Sequence, residues 1–146
     1  MKRYIFVLLL LIPALGFAQT AERIEKLLEQ ESVSYAQAAL FVLEAAEHLD
    51  PALDTNPDEA FNAARGFLPK KVQANDTINL KSLSFLVMQA FDIKGGLFYI
   101  MTKSPHHAYR ELQRLNVIQG RVDPLLPVSG ELLLFVINRT LFIIEE

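Results

Sequence analysis

Three histidines and no cysteine set the first limit on the chemistry open to this chain. Without a thiol there is no cysteine nucleophile, no disulfide framework, no thiolate metal site and no lipidated cysteine. His106 and His107 form the one histidine pair, but adjacent helix residues diverge by about 100° and do not chelate one ion together. His107 shares a face with Glu111, yet two ligands fall short of a closed zinc site. His48 stands alone near the end of an apolar helix, where the dipole favours a cation. Ser32, Ser34, Ser82, Ser84, Ser104 and Ser129 include no Gly-x-Ser-x-Gly elbow, and no base partner for them stands out in the sequence. Glu44 with Glu47 and Asp58 with Glu59 read as solvated faces rather than as an acid–base pair. Lys70-Lys71 is too short for a polyanion patch, and Gly95-Gly96 lacks the downstream Gly-Lys-Ser of a phosphate cradle. Asn138-Arg139-Thr140 matches a glycosylation acceptor but falls inside an apolar helix. The expectation is a non-enzyme with no catalytic residue, no metal and no cofactor.

The elements that carry these residues belong to one ordinary domain. The chain has 146 residues, 51% apolar and 21% charged, so disorder and low complexity are excluded. A formal charge of −3 argues against a nucleic-acid partner. The start has the anatomy of a secretory signal: Lys2-Arg3, an apolar run over Tyr4–Ile12, Pro13, then small residues at Gly16 and Ala18. Its apolar run is short of the roughly 20 residues that span a bilayer. Cleavage after Ala18 is expected to leave 19–146 as a single exported domain with no transmembrane segment, in the periplasm or envelope of a bacterium.

The remainder repeats itself. Asn56-Pro57-Asp58-Glu59-Ala60-Phe61 returns 48 residues later as Ser104-Pro105-His106-His107-Ala108-Tyr109. Each copy starts a helix, with a capping side chain and a proline at the first position, where the missing N–H costs nothing. Ser34, Asn79 and Ser129 cap three further helices, expected over 35–47, 80–92 and 130–143 and apolar nearly all round, which places them in a core. Ser34 and Gln37 have capping-box spacing. The third helix is too short to cross a membrane, and Glu131, Glu145 and Glu146 flank it with the wrong charge. The pattern is three tandem helix–loop–helix units, the first shortened to a front helix at Ala21–Leu28 with Ile24, Leu27 and Leu28 on one face. The stretch Gly95–Met101 follows the second apolar helix as a turn and then either a short strand or a packed turn; periodicity fits both.

Three units of this length, each ending in a loop and a capped helix, resemble the S-layer homology module of bacterial envelope proteins. The third unit carries the resemblance best. Ala108–Gly120 is similar to that family's first helix and its closing Gly-Ile-Ile-x-Gly, and Asp123–Glu131 to the loop before its Ile-Thr-Arg-Ala-Glu motif. The second unit matches at Ala60-Phe61, Gly66-Phe67-Leu68 and Ile78-Asn79, and the first at Val33–Gln37. The resemblance implies an all-α, pseudo-threefold helical bundle that binds an envelope polysaccharide through the motif arginine at a helix N-terminus. Here the arginine positions hold Tyr35, Leu80 and Gly130, and the nearest cations, Lys81 and Arg139, lie at other phases. The candidate binding surface is therefore the helix starts and their loops: Ser34, Tyr35, Asn79, Lys81, Arg121, Asp123, Ser129 and Glu131. The expected partner is envelope polysaccharide or, alternatively, a larger envelope or membrane complex on which the protein docks as an adaptor.

Overall fold

The computed structural model describes residues 20–146; the expected signal over 1–18 lies outside them. Seven α-helices make up the described fold: α1 (20–28), α2 (Tyr35–Ala45), α3 (Pro57–Ala63), α4 (Leu80–Ala90), α5 (Leu97–Thr102), α6 (Pro105–Arg114) and α7 (Gly130–Glu145). Short 3-10 turns at Pro51–Leu53 and Arg65–Phe67 complete it. The fold is all-α, as the periodicity predicts.

The caps account for the starts. Ser34 and Gln37 form a reciprocal capping box, and the side chains of Asn56, Asn79, Ser104 and Ser129 each accept a hydrogen bond from a first-turn amide. The ends are set by single left-handed residues. Glu47 (φ 63°) and Asp92 (φ 52°) close α2 and α4, so both helices stop two residues short of the expected boundary. The following amides, on His48 and Ile93, then donate back to the carbonyls of Leu43 and Met88 at 2.9 Å. Nothing comparable interrupts α7, which runs two residues past its expected end.

Three extended segments tie the units together. The Val33 amide donates to the Val128 carbonyl (2.8 Å), the Val128 amide to the Ile78 carbonyl (3.1 Å), and the Ile78 amide to the Val33 carbonyl (3.1 Å). This closed ring of three backbone bonds sits one residue before the caps Ser34, Asn79 and Ser129. Its three side chains are fully buried, each contributing about 1.5–3 kcal/mol on leaving water. Around them α2 packs on α3, α4 and α7, and α4 packs on α6. Leu27, Leu40, Leu43, Leu83, Leu86, Leu112, Leu133 and Val136 belong to the same core cluster.

Several local expectations need correction. α7 is not closed off all round: Leu133, Val136, Ile137 and Thr140 face inward, while Phe135, Phe142 and Ile144 face solvent. Leu28, expected on the buried face of α1 with Leu27, is 50% exposed. Residues 97–102 are neither strand nor packed turn but a six-residue helix. Gly96 starts it in an extended conformation, and Gly95 turns the chain with a φ of 69°. Only Tyr99 of this helix is buried.

Candidate functional site

The proposed contact residues separate into three seams between units. At the first, Ser34 is half-buried and spent on its capping box: the Gln37 amide donates to its Oγ, and its own amide donates to Gln37 Oε1, both at 3.1 Å. The amides of Tyr35 and Ala36 donate to the carbonyls of Asp76 and Ala74 in the next unit. Tyr35 itself is a correction to the candidate surface. Its ring lies in the core, 4% exposed, and its hydroxyl donates to buried Ser82 Oγ at 3.2 Å. An aromatic ring of that area is worth more against the neighbouring helices than in water.

The second seam joins the start of α4 to the loop after α6. Asn79 caps through Oδ1, accepting the Ser82 amide at 2.9 Å. The amides of Leu80 and Lys81 donate to the carbonyls of Leu126 (3.0 Å) and Pro124 (2.8 Å). That loop carries exposed Arg121 and Asp123, and Asp123 Oδ1 holds the Leu125 amide at 2.9 Å. Lys81 is half-buried at the same seam, and neither its ammonium nor the Arg121 guanidinium has an ion-pair partner among the described residues. Two cations and one carboxylate therefore border one seam.

At the third seam the Gly130 amide donates to the Gln30 carbonyl, and Ser129 Oγ accepts the Leu132 amide at 3.1 Å. Glu131 is exposed in the first turn of α7. A side chain at Gly130 has no room: a Cβ would lie 1.7 Å from the Leu27 carbonyl oxygen. With Tyr35 and Leu80 also buried, all three arginine positions of the resembled motif are closed to solvent. The first-turn amides of α2 and α4 are used up by the neighbouring unit and by the caps, so the anion-holding capacity of a free helix N-terminus is consumed in holding the units together.

The histidines take definite roles. His48 Nε2 lies 2.6 Å from the Ala90 carbonyl; a carbonyl only accepts, so Nε2 carries a proton and ties the end of α2 to the end of α4. Ser104 Oγ sits 2.7 Å from His107 Nδ1, a hydroxyl–imidazole contact that the sequence reading did not single out. The same oxygen accepts the His107 amide as the cap of α6. Glu111, one turn on, is engaged by Arg114 at 2.9 Å; the other group at His107 Nδ1 is Thr102 Oγ1 at 2.9 Å, and among the described residues no carboxylate orients the imidazole as a hydrolytic triad requires. Among the described residues no group of three or more His, Asp or Glu is placed to hold a metal ion, and no helix is long and apolar enough to cross a membrane. Within Asn138-Arg139-Thr140 the Thr140 hydroxyl is buried and bonded to the Val136 carbonyl at 2.7 Å, which closes that acceptor.

The second and third units also tether their loops alike. Arg65 Nη1 donates to the Val72 carbonyl at 2.9 Å, and the Tyr109 hydroxyl donates to the Val122 carbonyl, with Gln113 bonded to both Tyr109 and Gly120. No protein-family model matches the chain, and neither a curated protein nor a solved structure does.

Proposed function

We propose that this chain is an exported, non-catalytic binding module of the cell envelope, a pseudo-threefold bundle of the S-layer homology type. The signal-like start over 1–18 supports export to the periplasm or envelope. The observation that carries the reading is the ring of bonds among Val33, Ile78 and Val128. A head-to-tail cycle between segments at the same place in each unit is what rotation about a common axis produces.

The contact surface is the second seam. With the arginine positions closed, Lys81 and Arg121 supply the positive charge and Asp123 the acceptor for sugar hydroxyls, a set suited to a carboxylate-bearing polysaccharide. Retention on immobilised envelope polysaccharide tests this. Wild-type protein binds, and Lys81→Ala with Arg121→Ala weakens binding about 10–100-fold, as loss of charged hydrogen bonds does. A wild type that passes unretained overturns the reading. A second reading, an adaptor docking on a larger envelope complex, is favoured by the solvent-facing Phe135, Phe142 and Ile144 of α7. It expects salt-resistant co-purification that Phe135→Ser with Phe142→Ser abolishes.

A further inference from the structure

The charge and the apolar surface of this molecule are distributed unevenly, and one segment collects both cations and exposed hydrocarbon. Between residues 93 and 110 the chain carries Lys94, Lys103 and Arg110 and no acid, although acids outnumber bases 17 to 14 overall. The same segment holds α5, where Leu97, Phe98, Ile100 and Met101 are 68%, 71%, 51% and 74% exposed. Apolar side chains that could have packed inward instead stand in water, at a cost that a soluble surface has no reason to bear.

Their support is firm. Tyr99 alone turns in, fully buried, with Gln89 Nε2 donating to its hydroxyl at 2.6 Å and Lys103 Nζ 4.9 Å from its ring centroid. Phe98 stacks on His107 with ring centroids 6.1 Å apart. Thr102 Oγ1 donates to the Phe98 carbonyl at 2.7 Å. Between α5 and the end of α4, a surface depression of about 280 Å³ is bordered by Lys94 and Lys103, with Met88, Gln89, Asp92 and Ile100 also lining it. The bordering acids are Asp92 and Glu111, and Arg114 engages the latter.

We propose that α5 docks on an anionic phospholipid surface, its four exposed apolar side chains entering the headgroup boundary while Lys94 and Lys103 meet the lipid phosphates. A short amphipathic element with cations at its rim has the composition of an interfacial anchor. The exposed apolar face of α7 lacks this complement. Phe135, Phe142 and Ile144 lie among Glu131, Glu145 and Glu146, and the one cation of α7, Arg139, donates to the Asn116 carbonyl at 3.1 Å with its guanidinium 6.0 Å from the Phe142 ring centroid. Net charge thus separates the two patches, positive over 93–110 and negative over 130–146, and the first is the better fit to an anionic surface. The proposal does not rest on the polysaccharide reading, because Lys81 and Arg121 take no part in it.

The absence of cysteine gives a local test on the full chain. Met101→Cys labelled with an environment-sensitive fluorophore is titrated with phosphatidylcholine vesicles containing about 30% phosphatidylglycerol, and with phosphatidylcholine alone. A several-fold rise and blue shift with the anionic vesicles only, reversed by about 0.5 M salt, is expected. Adding Lys94→Gln should raise the half-saturating lipid concentration about fivefold. The same label at Leu53→Cys, 75% exposed, should not respond. Silence at about 1 mM lipid, an equal response to neutral vesicles, no effect of Lys94→Gln, or a response to protein concentration without lipid (a second copy covering the patch) each overturns the proposal.

Discussion

The connection from α2 to α3 and the connection from α4 to α6 occupy the same place in successive units, and they have opposite surfaces. Both begin with a left-handed residue just past the helix, Glu47 and Asp92, and both have another near the next cap, Asp54 and Lys103. Between these points the first connection carries Asp50 and a three-residue 3-10 turn held by Asp50 Oδ1 accepting the Ala52 amide. The second carries Lys94, paired glycines and α5, anchored by one buried tyrosine. The backbone frame at the ends is shared, while the charge sign and the apolar content between them are not. Repetition therefore preserves how a helix stops and restarts: the left-handed residues are themselves exposed, but the turn they make sends the next amide, on His48 or Ile93, back to a carbonyl inside the helix. The stretch between is free to acquire a surface role.

The largest expected effect comes from removing the anchor. Tyr99→Ala should cost about 3–5 kcal/mol in urea unfolding, whereas Leu53→Ala in the first connection stays within about 0.5 kcal/mol. Equal losses would break the contrast between a loop anchored by a buried ring and one whose leucine stands exposed. Gly95→Ala comes next: it forces a side chain into positive φ, with a Cβ 2.7 Å from the Tyr99 ring and 3.0 Å from Met88. A loss of about 1–3 kcal/mol is expected, and a neutral result would mean that the paired glycines do not hold α5 against α4.

A smaller effect lies in pH. Burial, with a further contribution from the Asp92 charge, pushes the Tyr99 phenol up, against the opposing hydrogen bond from Gln89. The folded state then holds its proton more tightly than the unfolded chain, so this stabilisation is complete below pH of about 10 and is lost as pH climbs through the raised value. Tyr99→Phe should flatten that alkaline limb in thermal melts; an unchanged limb would place the titration elsewhere. The smallest change is expected from Met101→Ser, within about 0.5 kcal/mol of wild type in the same unfolding assay. A larger loss would show that α5 is packed rather than presented.

Much of the local structure was legible because it depends on near neighbours. The caps Ser34, Asn56, Asn79, Ser104 and Ser129 name their helices by type and spacing, and the apolar runs behind three of them name the core. The helix ends of α2 and α4 were read two residues long, since a left-handed Glu47 or Asp92 leaves no compositional mark as a glycine would. The candidate surface was half legible. Lys81, Arg121 and Asp123 do gather at one seam, but Tyr35 turns inward because Ser82 waits there for its hydroxyl, 47 residues away in sequence. The Ser104–His107 contact had a signal, a capping serine with histidine three residues on, which is the spacing that brings them together.

By itself the sequence determined where the capped helices begin and which runs are apolar, consequences of spacings shorter than about a dozen residues, and it displayed a motif that returns after 48 residues. Only the tertiary structure decided that the helix-start amides of α2 and α4 are spent on neighbouring carbonyls, that Gly130 leaves no space for a side chain, and that α5 stands exposed on a buried tyrosine. The first two outcomes depend on which segments, some 40 to 100 residues apart, share the same volume, as Leu27 and Gly130 do. Exclusion of one atom by another across such separations leaves no trace in a linear pattern.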